Sequence, residues 1–286
     1  MIDRLHQATG ASIRLICDTL KYPRSSYYAA ATPTARGLSD QELGQRIETI
    51  FRFHRQRYGY RRIHAELRDG KVTCSAARIR RLMHERGLHA VAPRQFVPRT
   101  SDGRADKPSP NLLVDQPFPT RAHQVWTGDI TYIPTTTGWL YLAVVLDLAT
   151  RKIVGWSLAP HMRASLVVDA LRQALGSQYR SRATSTIFHS DRGSQYSSAA
   201  FRNLLAQAGI TQSMSARANP YHNAWTESFI GTLKTEMLRD GCFENERDAT
   251  IEIFEYIEMY YHNQRKHSSL DYKTPAQFEL FLALQT

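Results

Sequence analysis

The chain has 286 residues, 42% of them hydrophobic, and a formal net charge of +11, which is enough length and apolar content for one large domain or two modest ones. Its longest apolar run, Trp139-Leu-Tyr-Leu-Ala-Val-Val-Leu146, stops at Asp147, far short of the ~20 residues a membrane helix needs, and Asp3, Arg4 and His6 interrupt any leader pattern, so no membrane association and a cytoplasmic location are expected. Cys17, Cys74 and Cys242 lie far apart with no Cys-x-x-Cys pair, which argues against a zinc knuckle or a disulfide framework and predicts three reduced, mostly buried thiols.

The charge is unevenly spread. Residues 1–100 hold 19 Lys and Arg against 8 Asp and Glu, whereas residues 101–286 hold 18 of each. A basic front and a neutral back suggest a nucleic-acid-binding part joined to something else; the plainer alternative is a soluble basic domain. Residues 11–29 read as a short helix, a break at Pro23 and a second short helix from Arg24, a partial helix-turn-helix within residues 1–35. Ser39-Asp-Gln-Glu42 has the form of a capping box and predicts the start of a longer helix, with Leu43, Ile47, Ile50 and Phe51 as its apolar stripe and Gly59 as its end. A second helix follows, with Ile63 and Leu67 inward and Arg61, Arg62 and Arg68 outward. Asp69-Gly70 turns the chain, and Ser75 caps a third helix with Ile79, Leu82 and Met83 inward, Arg78, Arg80, Arg81 and Arg86 on its other faces, and Gly87 at its end. Helix, tight turn and arginine-loaded helix is the helix-turn-helix arrangement, so residues 36–98 are expected to bind DNA through Arg61, Arg62, Arg78, Arg80 and Arg81. A three-helix bundle that binds protein is the alternative.

Six prolines between positions 93 and 119 predict an extended linker, placed at 99–120. From Gln124 the texture changes. Strands are predicted at 124–133, 139–147 and 153–158 with short turns between them, an antiparallel meander. A helix at 164–175, a strand at 186–189, a helix at 198–209, a strand at 212–215 and a helix at 224–239 complete the series. This β-β-β-α-β-α-β-α order is that of a ribonuclease-H-like α/β fold, a five-stranded mixed sheet with helices on both faces, spanning 121–240. A helical extension at 241–286 contains a helix at 246–261 with Ile251, Phe254, Ile257 and Tyr261 on one face and Glu252, Glu255 and Glu258 on a solvated edge.

Three carboxylates stand in distinctive settings: Asp129 in Trp-Thr-Gly-Asp-Ile-Thr-Tyr, Asp191 in His-Ser-Asp-Arg-Gly-Ser-Gln-Tyr, and Glu227 in Asn-Ala-Trp-Thr-Glu-Ser-Phe, with 35 residues between the last two. In the expected topology the first and fourth strands are neighbours, so the two aspartates can share a metal and Glu227 can approach from the adjacent helix. Magnesium takes hard oxygen ligands and keeps part of its water, so few carboxylates are needed, and two such ions can clamp one phosphodiester. Crowded carboxylates repel one another without a metal, so the trio costs stability and suggests a site. Lys234, two helical turns after Glu227, is placed to hold a DNA phosphate beside the metals, the alternative being a solvated lysine. Arg192, Gln195, Tyr196 and His189 surround Asp191 as candidate DNA contacts, with a packed strand-end role open for His189. Asp147 is read as a decoy, a turn carboxylate paired with Arg151.

The motifs Trp126-Thr-Gly-Asp-Ile-Thr-Tyr132, Trp139–Asp147, His189–Tyr196, Asn219-Pro-Tyr-His-Asn-Ala-Trp-Thr-Glu-Ser-Phe229, Tyr261-His-Asn-Gln-Arg-Lys-His267 and Tyr58-Gly-Tyr-Arg-Arg-Ile63 together resemble the OrfB proteins of the third insertion-sequence family, transposases with a retroviral-integrase-like DDE core. The chain departs from the family pattern at His222, where Asp is common, and at Gly128, where Thr is common. The resemblance implies a DNA transposase that recognises the terminal inverted repeats of its own element. With two Mg²⁺ ions (Mn²⁺ substituting) at Asp129, Asp191 and Glu227, it would free a 3′-hydroxyl and join it to target DNA by transesterification. It further implies homo-oligomeric assembly on DNA, fusion with or binding to an upstream helix-turn-helix OrfA protein, and a place at the bacterial nucleoid. The rival expectations are a catalytically silent DNA-binding regulator and a ribonuclease-H-like nuclease that only hydrolyses.

Overall fold

A computed structural model of the chain describes residues 1–24, 27–28, 35–91, 109–114, 116–176, 186–215, 224–238 and 241–285. They fall into two compact units, residues 1–90 and residues 91–286.

The first unit opens with α1 (Ile2–Thr9), which lies ahead of the segment expected to be helical, and α2 (Ile13–Thr19), capped by Ser12. Ile2, Ile16 and Cys17 pack between them. Of the second short helix expected from Arg24, residues 24, 27 and 28 are described and helical, the Tyr27 N–H donating to Pro23 O at 3.2 Å; residues 25, 26 and 29 lie outside the described residues. Then come α3 (Ala35–Phe53), α4 (Tyr60–Asp69) and α5 (Ala76–Glu85). Leu43, Ile47, Phe51, Tyr58, Ile63, Leu67, Ile79, Leu82 and Met83 form one core, so the 3.6-residue periodicity identified its apolar face correctly. The predicted boundaries of α3 need correction. The helix begins at Ala35, so Ser39 lies inside it and caps nothing. It ends at Phe53 because Arg55 and Gln56 turn to positive φ (48° and 60°) and the Gln56 N–H closes back on Phe51 O at 2.8 Å. Gly59 instead precedes α4 as its N-cap. For α5 the local signals hold: Ser75 Oγ accepts the Arg78 N–H at 3.3 Å, and Gly87, at φ 64°, turns the chain out of the helix.

The second unit is built on β1 (Val125–Thr135), β2 (Gly138–Asp147), β3 (Ile153–Ala159), β4 (Ile187–Ser190) and β5 (Thr211–Met214), in the order β3-β2-β1-β4-β5. The first three strands pair antiparallel, while β4 runs parallel to both β1 and β5. Against one face lie α6 (Ala164–Ala174), α7 (Ser194–Ser197) and α8 (Ala199–Gln207), enclosing Trp126, Ile130, Ala143, Val145 and Phe188. On the other face lie α9 (Ala224–Met237) and α10 (Glu246–Phe254), which continues as a π-helical segment, Glu255–Tyr261. These cover Val125, Ile133, Leu142, Val144 and Leu146. Successive residues of β2 thus point into two cores, which is why that strand is apolar without alternation. This is the ribonuclease-H-like α/β architecture expected from the element order.

Residues beyond 240 complete the second core rather than appending to it. Ala249, Ile253, Tyr256, Ile257, Tyr260 and Tyr261 are buried there, whereas Ile251 and Phe254, expected inward, are each 50% exposed. Ile257 and Tyr261 are buried as expected; the widened π-helical turn from Glu255 shifts the period, so ahead of it Ala249 and Ile253 face the core in place of Ile251 and Phe254. Glu258 is not a solvated edge: His262 Nδ1 lies 3.3 Å from it and Trp156 Nε1 donates to it at 3.1 Å. The chain closes with α11 (Pro275–Ala283), announced by a Thr274/Gln277 capping box that the sequence reading overlooked.

Ser109–Leu113, assigned to the linker, runs beside β5. Met214 N–H donates to Pro110 O at 3.2 Å and Leu112 N–H to Ser213 Oγ at 2.9 Å, covering a strand edge that would otherwise be open. Of the thiols only Cys17 is buried; Cys74 is half-buried and Cys242 exposed. No helix among the described residues is long and apolar enough to cross a membrane.

Candidate active site

The parallel β1–β4 ladder ends with Thr127 opposite His189. Two residues further along each strand direction stand Asp129 and Asp191, so the pairing that joins the meander to the parallel half of the sheet brings the two aspartates level. Alternation puts Asp129 on the same face as Thr127. That face meets α9 through a buried hydrogen bond, Thr127 Oγ1 to Thr226 Oγ1 at 2.6 Å. The next residue of α9 is Glu227, exposed in its first turn, and Lys234 follows half-buried.

The four charged groups share one electrostatic field. Burial, then the Asp191 carboxylate, with Glu227 adding to both, push the Asp129 carboxyl up to about 8, against the opposing Ile130 N–H and Lys234. The Ile130 N–H reaches Asp129 Oδ1 at 2.8 Å. Partial desolvation raises Glu227, exposed as it remains, and burial lowers Lys234, the latter opposed by Asp129. Asp191 Oδ1 accepts the Gly193 N–H at 2.9 Å, which fixes its side chain at the strand end. Among the described residues no three His, Cys, Asp or Glu side chains are drawn into a ready-made coordination shell. What links Asp129, Asp191 and Glu227 is the repulsion that both of the others exert on the Asp129 carboxylate. The trio's donors are hard carboxylate oxygens with a displaceable proton, and this set fits a hard divalent cation.

Other residues singled out from the sequence have structural partners. His189 Nδ1 lies 2.8 Å from Ser213 Oγ, and Arg192 Nε donates to Ser215 O at 2.9 Å. Gln195 Nε2 donates to Met162 O at 3.0 Å, and Tyr196 is buried below the aspartates, its phenol raised well above its usual value by burial and by Asp129 and Asp191. Asp147 holds its turn, with the Arg151 N–H donating to its backbone O at 2.8 Å, but its carboxylate does not pair with the Arg151 guanidinium. It accepts the His123 N–H at 2.5 Å, and the Thr150 N–H and hydroxyl at 2.9 and 3.0 Å. The Arg151 guanidinium instead lies over the rings of Phe118 and Trp225, at 5.2 and 5.5 Å from their centroids. Gly128 has a packing reason: a Cβ there would stand 2.5 Å from Phe188 Cζ and 3.3 Å from Tyr196 Cε1, so this core has spent the space a larger residue would need. His222 lies outside the described residues.

In the first unit Arg78 and Arg81 both bind the Asp40 carboxylate, and Arg81 Nη1 also reaches Glu85 at 2.8 Å. Asp40 was missed because 38 residues separate it from Arg78. Arg61 lies over the Tyr60 ring at 5.5 Å and Arg62 over Tyr58 at 5.6 Å. Arg80 points outward with no ion pair among the described residues.

Sequence comparison agrees with this architecture. The description "Integrase core domain" matches at residues 119–220 and again at 208–275, and "HTH-like domain" at 39–96. A helix-turn-helix-like part followed by an integrase core defines a DDE polynucleotidyl transferase. The chain is 41% identical over 249 residues to the transposase for insertion sequence element IS904 of Lactococcus lactis, covering 87% of this chain and 98% of that protein. It is 37% identical over 278 residues to transposase InsF for insertion sequence IS3A of Escherichia coli K12, covering 96% of each. The chain therefore belongs to the insertion-sequence transposases of the IS3 group, and it is a DNA transposase. Among solved structures, the magnesium-bound HTLV-2 integrase catalytic core aligns with 56% of this chain and 97% of its own at 17% identity and a TM-score of 0.41, a likeness too slight to argue from.

Proposed function

We propose that Asp129, Asp191 and Glu227 are the catalytic carboxylates of this transposase and hold two Mg²⁺ ions, with Mn²⁺ able to substitute. The observation that carries this reading is the parallel β1–β4 pairing, which sets two aspartates from distant motifs side by side beneath the helix bearing the glutamate. Bound divalent ions supply activation of the attacking oxygen and stabilisation of the leaving oxygen of a phosphodiester. Asp129 and Asp191 would provide the shared negative face, and Asp129, raised as it is, would have to be deprotonated to hold a cation. Glu227 approaches from α9, and Lys234, which burial pulls down against the opposing Asp129, holds a DNA phosphate along the same helix. Arg192, tethered at the end of β5, lies at the rim for a further DNA contact.

The substrates in this reading are the terminal inverted repeats of the parent element and a target DNA. The first unit contributes Arg80 and, in exchange for Asp40, Arg78 and Arg81, with Arg61 and Arg62 on α4 nearby. Homo-oligomeric assembly on two ends, an OrfA-type helix-turn-helix partner or fusion, and a nucleoid location in the cytoplasm belong to the same proposal. The test uses end-sequence DNA with Mg²⁺ or Mn²⁺. Asp129→Asn, Asp191→Asn and Glu227→Gln each abolish strand joining while DNA binding survives. Retained joining in any one of them removes that residue from the site, and products of hydrolysis without joining in the wild type would favour a nuclease.

A further inference from the structure

Helix α9 carries Glu227 near its start and Lys234 near its end, so whatever sets its axial position sets both groups. Its inward stripe is Thr226, Phe229, Leu233 and Glu236. The first makes the hydrogen bond to Thr127, the next two are apolar, and the last is a carboxylate whose side chain is only 6% exposed. Into it fits Arg265, itself 5% exposed. Arg265 Nε reaches Glu236 Oε1 and Oε2 at 3.0 and 3.1 Å, Nη2 reaches Oε1 at 2.8 Å, and the Tyr256 hydroxyl donates to Oε2 at 2.9 Å. Tyr256 belongs to the π-helical segment, and Arg265 follows just after it, its own N–H closing on Tyr260 O at 2.9 Å. Beyond them Arg265 Nη1 lies 3.3 Å from His267 Nε2, and His262 Nε2 accepts the Ile153 N–H at 3.1 Å. The Tyr261–His267 motif, to which the sequence reading attached no chemistry, is thus a socket for the end of α9 and an anchor on β3.

A buried ion pair is a poor device for stability, because desolvation offsets most of its attraction and apolar residues of similar volume do as well or better. What it adds is geometry. Apolar side chains tolerate sliding, whereas a forked guanidinium on a carboxylate does not. The fork is seated two residues beyond Lys234. Widened π-helical turns recur at functional sites, and here the turn delivers both the Tyr256 hydroxyl and the Arg265 fork to one carboxylate.

We propose that Glu236 and Arg265 are positioning residues of the active site: their buried pair sets the register of α9 and so places Glu227 and Lys234 against Asp129 and Asp191. This rests on the carboxylate trio being the catalytic site. The decisive variant is Glu236→Met with Arg265→Met in the full chain. Its thermal midpoint and its binding to end DNA stay at wild-type levels or better. Mn²⁺ binding without DNA, followed by the electron paramagnetic resonance of the free ion, weakens about tenfold, and strand joining falls by about ten- to a hundredfold, the range seen when groups supporting a metal site are removed. A folded double variant that binds Mn²⁺ and joins strands like the wild type overturns the proposal. If the double variant does not fold, Arg265→Lys, which keeps the charge but loses the fork, decides: wild-type Mn²⁺ binding and joining in it overturn the proposal, and losses of about tenfold in both support it. Joining that persists in Asp129→Asn would instead bring down the trio itself, an outcome separable from either result.

Discussion

The carboxyl of Asp129 makes the metal-free site expensive to fold, and replacing it exposes that cost. Burial, Asp191 and Glu227 push it from 3.8 up to about 8. In the unfolded chain it ionises near ~3.9. Between those values the folded protein keeps a proton that the unfolded chain has released. Stability therefore falls as pH rises from about 4 to about 8, and the whole cost is present above about 8. About four tenfold steps in proton affinity correspond to a ceiling of ~5–6 kcal/mol. The carboxylate keeps some contact with water and its neighbours relax, so ~1–3 kcal/mol is the working figure. Asparagine carries no charge and still accepts the Ile130 N–H, so Asp129→Asn stabilises the metal-free second unit by ~1–3 kcal/mol at pH 8.5 and by about a quarter of that at pH 5. Trp126, Trp139, Trp156 and Trp225 are the chain's four tryptophans and all lie in that unit, so tryptophan fluorescence during urea unfolding in EDTA reads it selectively. Added Mg²⁺ narrows the gap, because it stabilises the wild type preferentially. An equal difference at both pH values, or a variant less stable at pH 8.5, would refute the reasoning.

Gly128→Thr overpacks the Phe188 and Tyr196 rings and costs ~1–3 kcal/mol, most of which Phe188→Leu in the same chain restores; additive losses in the melts would show that the two sites are not in conflict. Arg80→Gln leaves thermal stability unchanged and lowers the salt slope of DNA binding by ~0.9, and an unchanged slope would move the phosphate contact elsewhere. Asp40→Asn releases Arg78 and Arg81 and steepens the same slope. A slope that does not move would mean those guanidinium groups meet no phosphate.

Much of the fold was legible because it is written in short-range pattern. Short apolar runs bounded by turn residues marked the strands, helical spacing marked the core of the first unit, and Ser75 and Gly87 bounded α5. Misreadings arose where local signals misled. Ser39 looked like a cap but sits within a helix that begins at Ala35, and a regular helical period put Ile251 and Phe254 inward because it could not foresee the π-helical turn from Glu255.

The chain alone determined which three carboxylates stand in unusual company and that a basic front precedes a neutral α/β half, because both are matters of residue identity and order. Only the tertiary structure decided which groups meet. Thr127 finds Thr226 across 99 residues, Arg78 finds Asp40 across 38, and Arg265 finds Glu236 across 29. Such pairings are set by sheet order and helix packing, which depend on all the buried surface at once, and a single sequence carries no local mark of them.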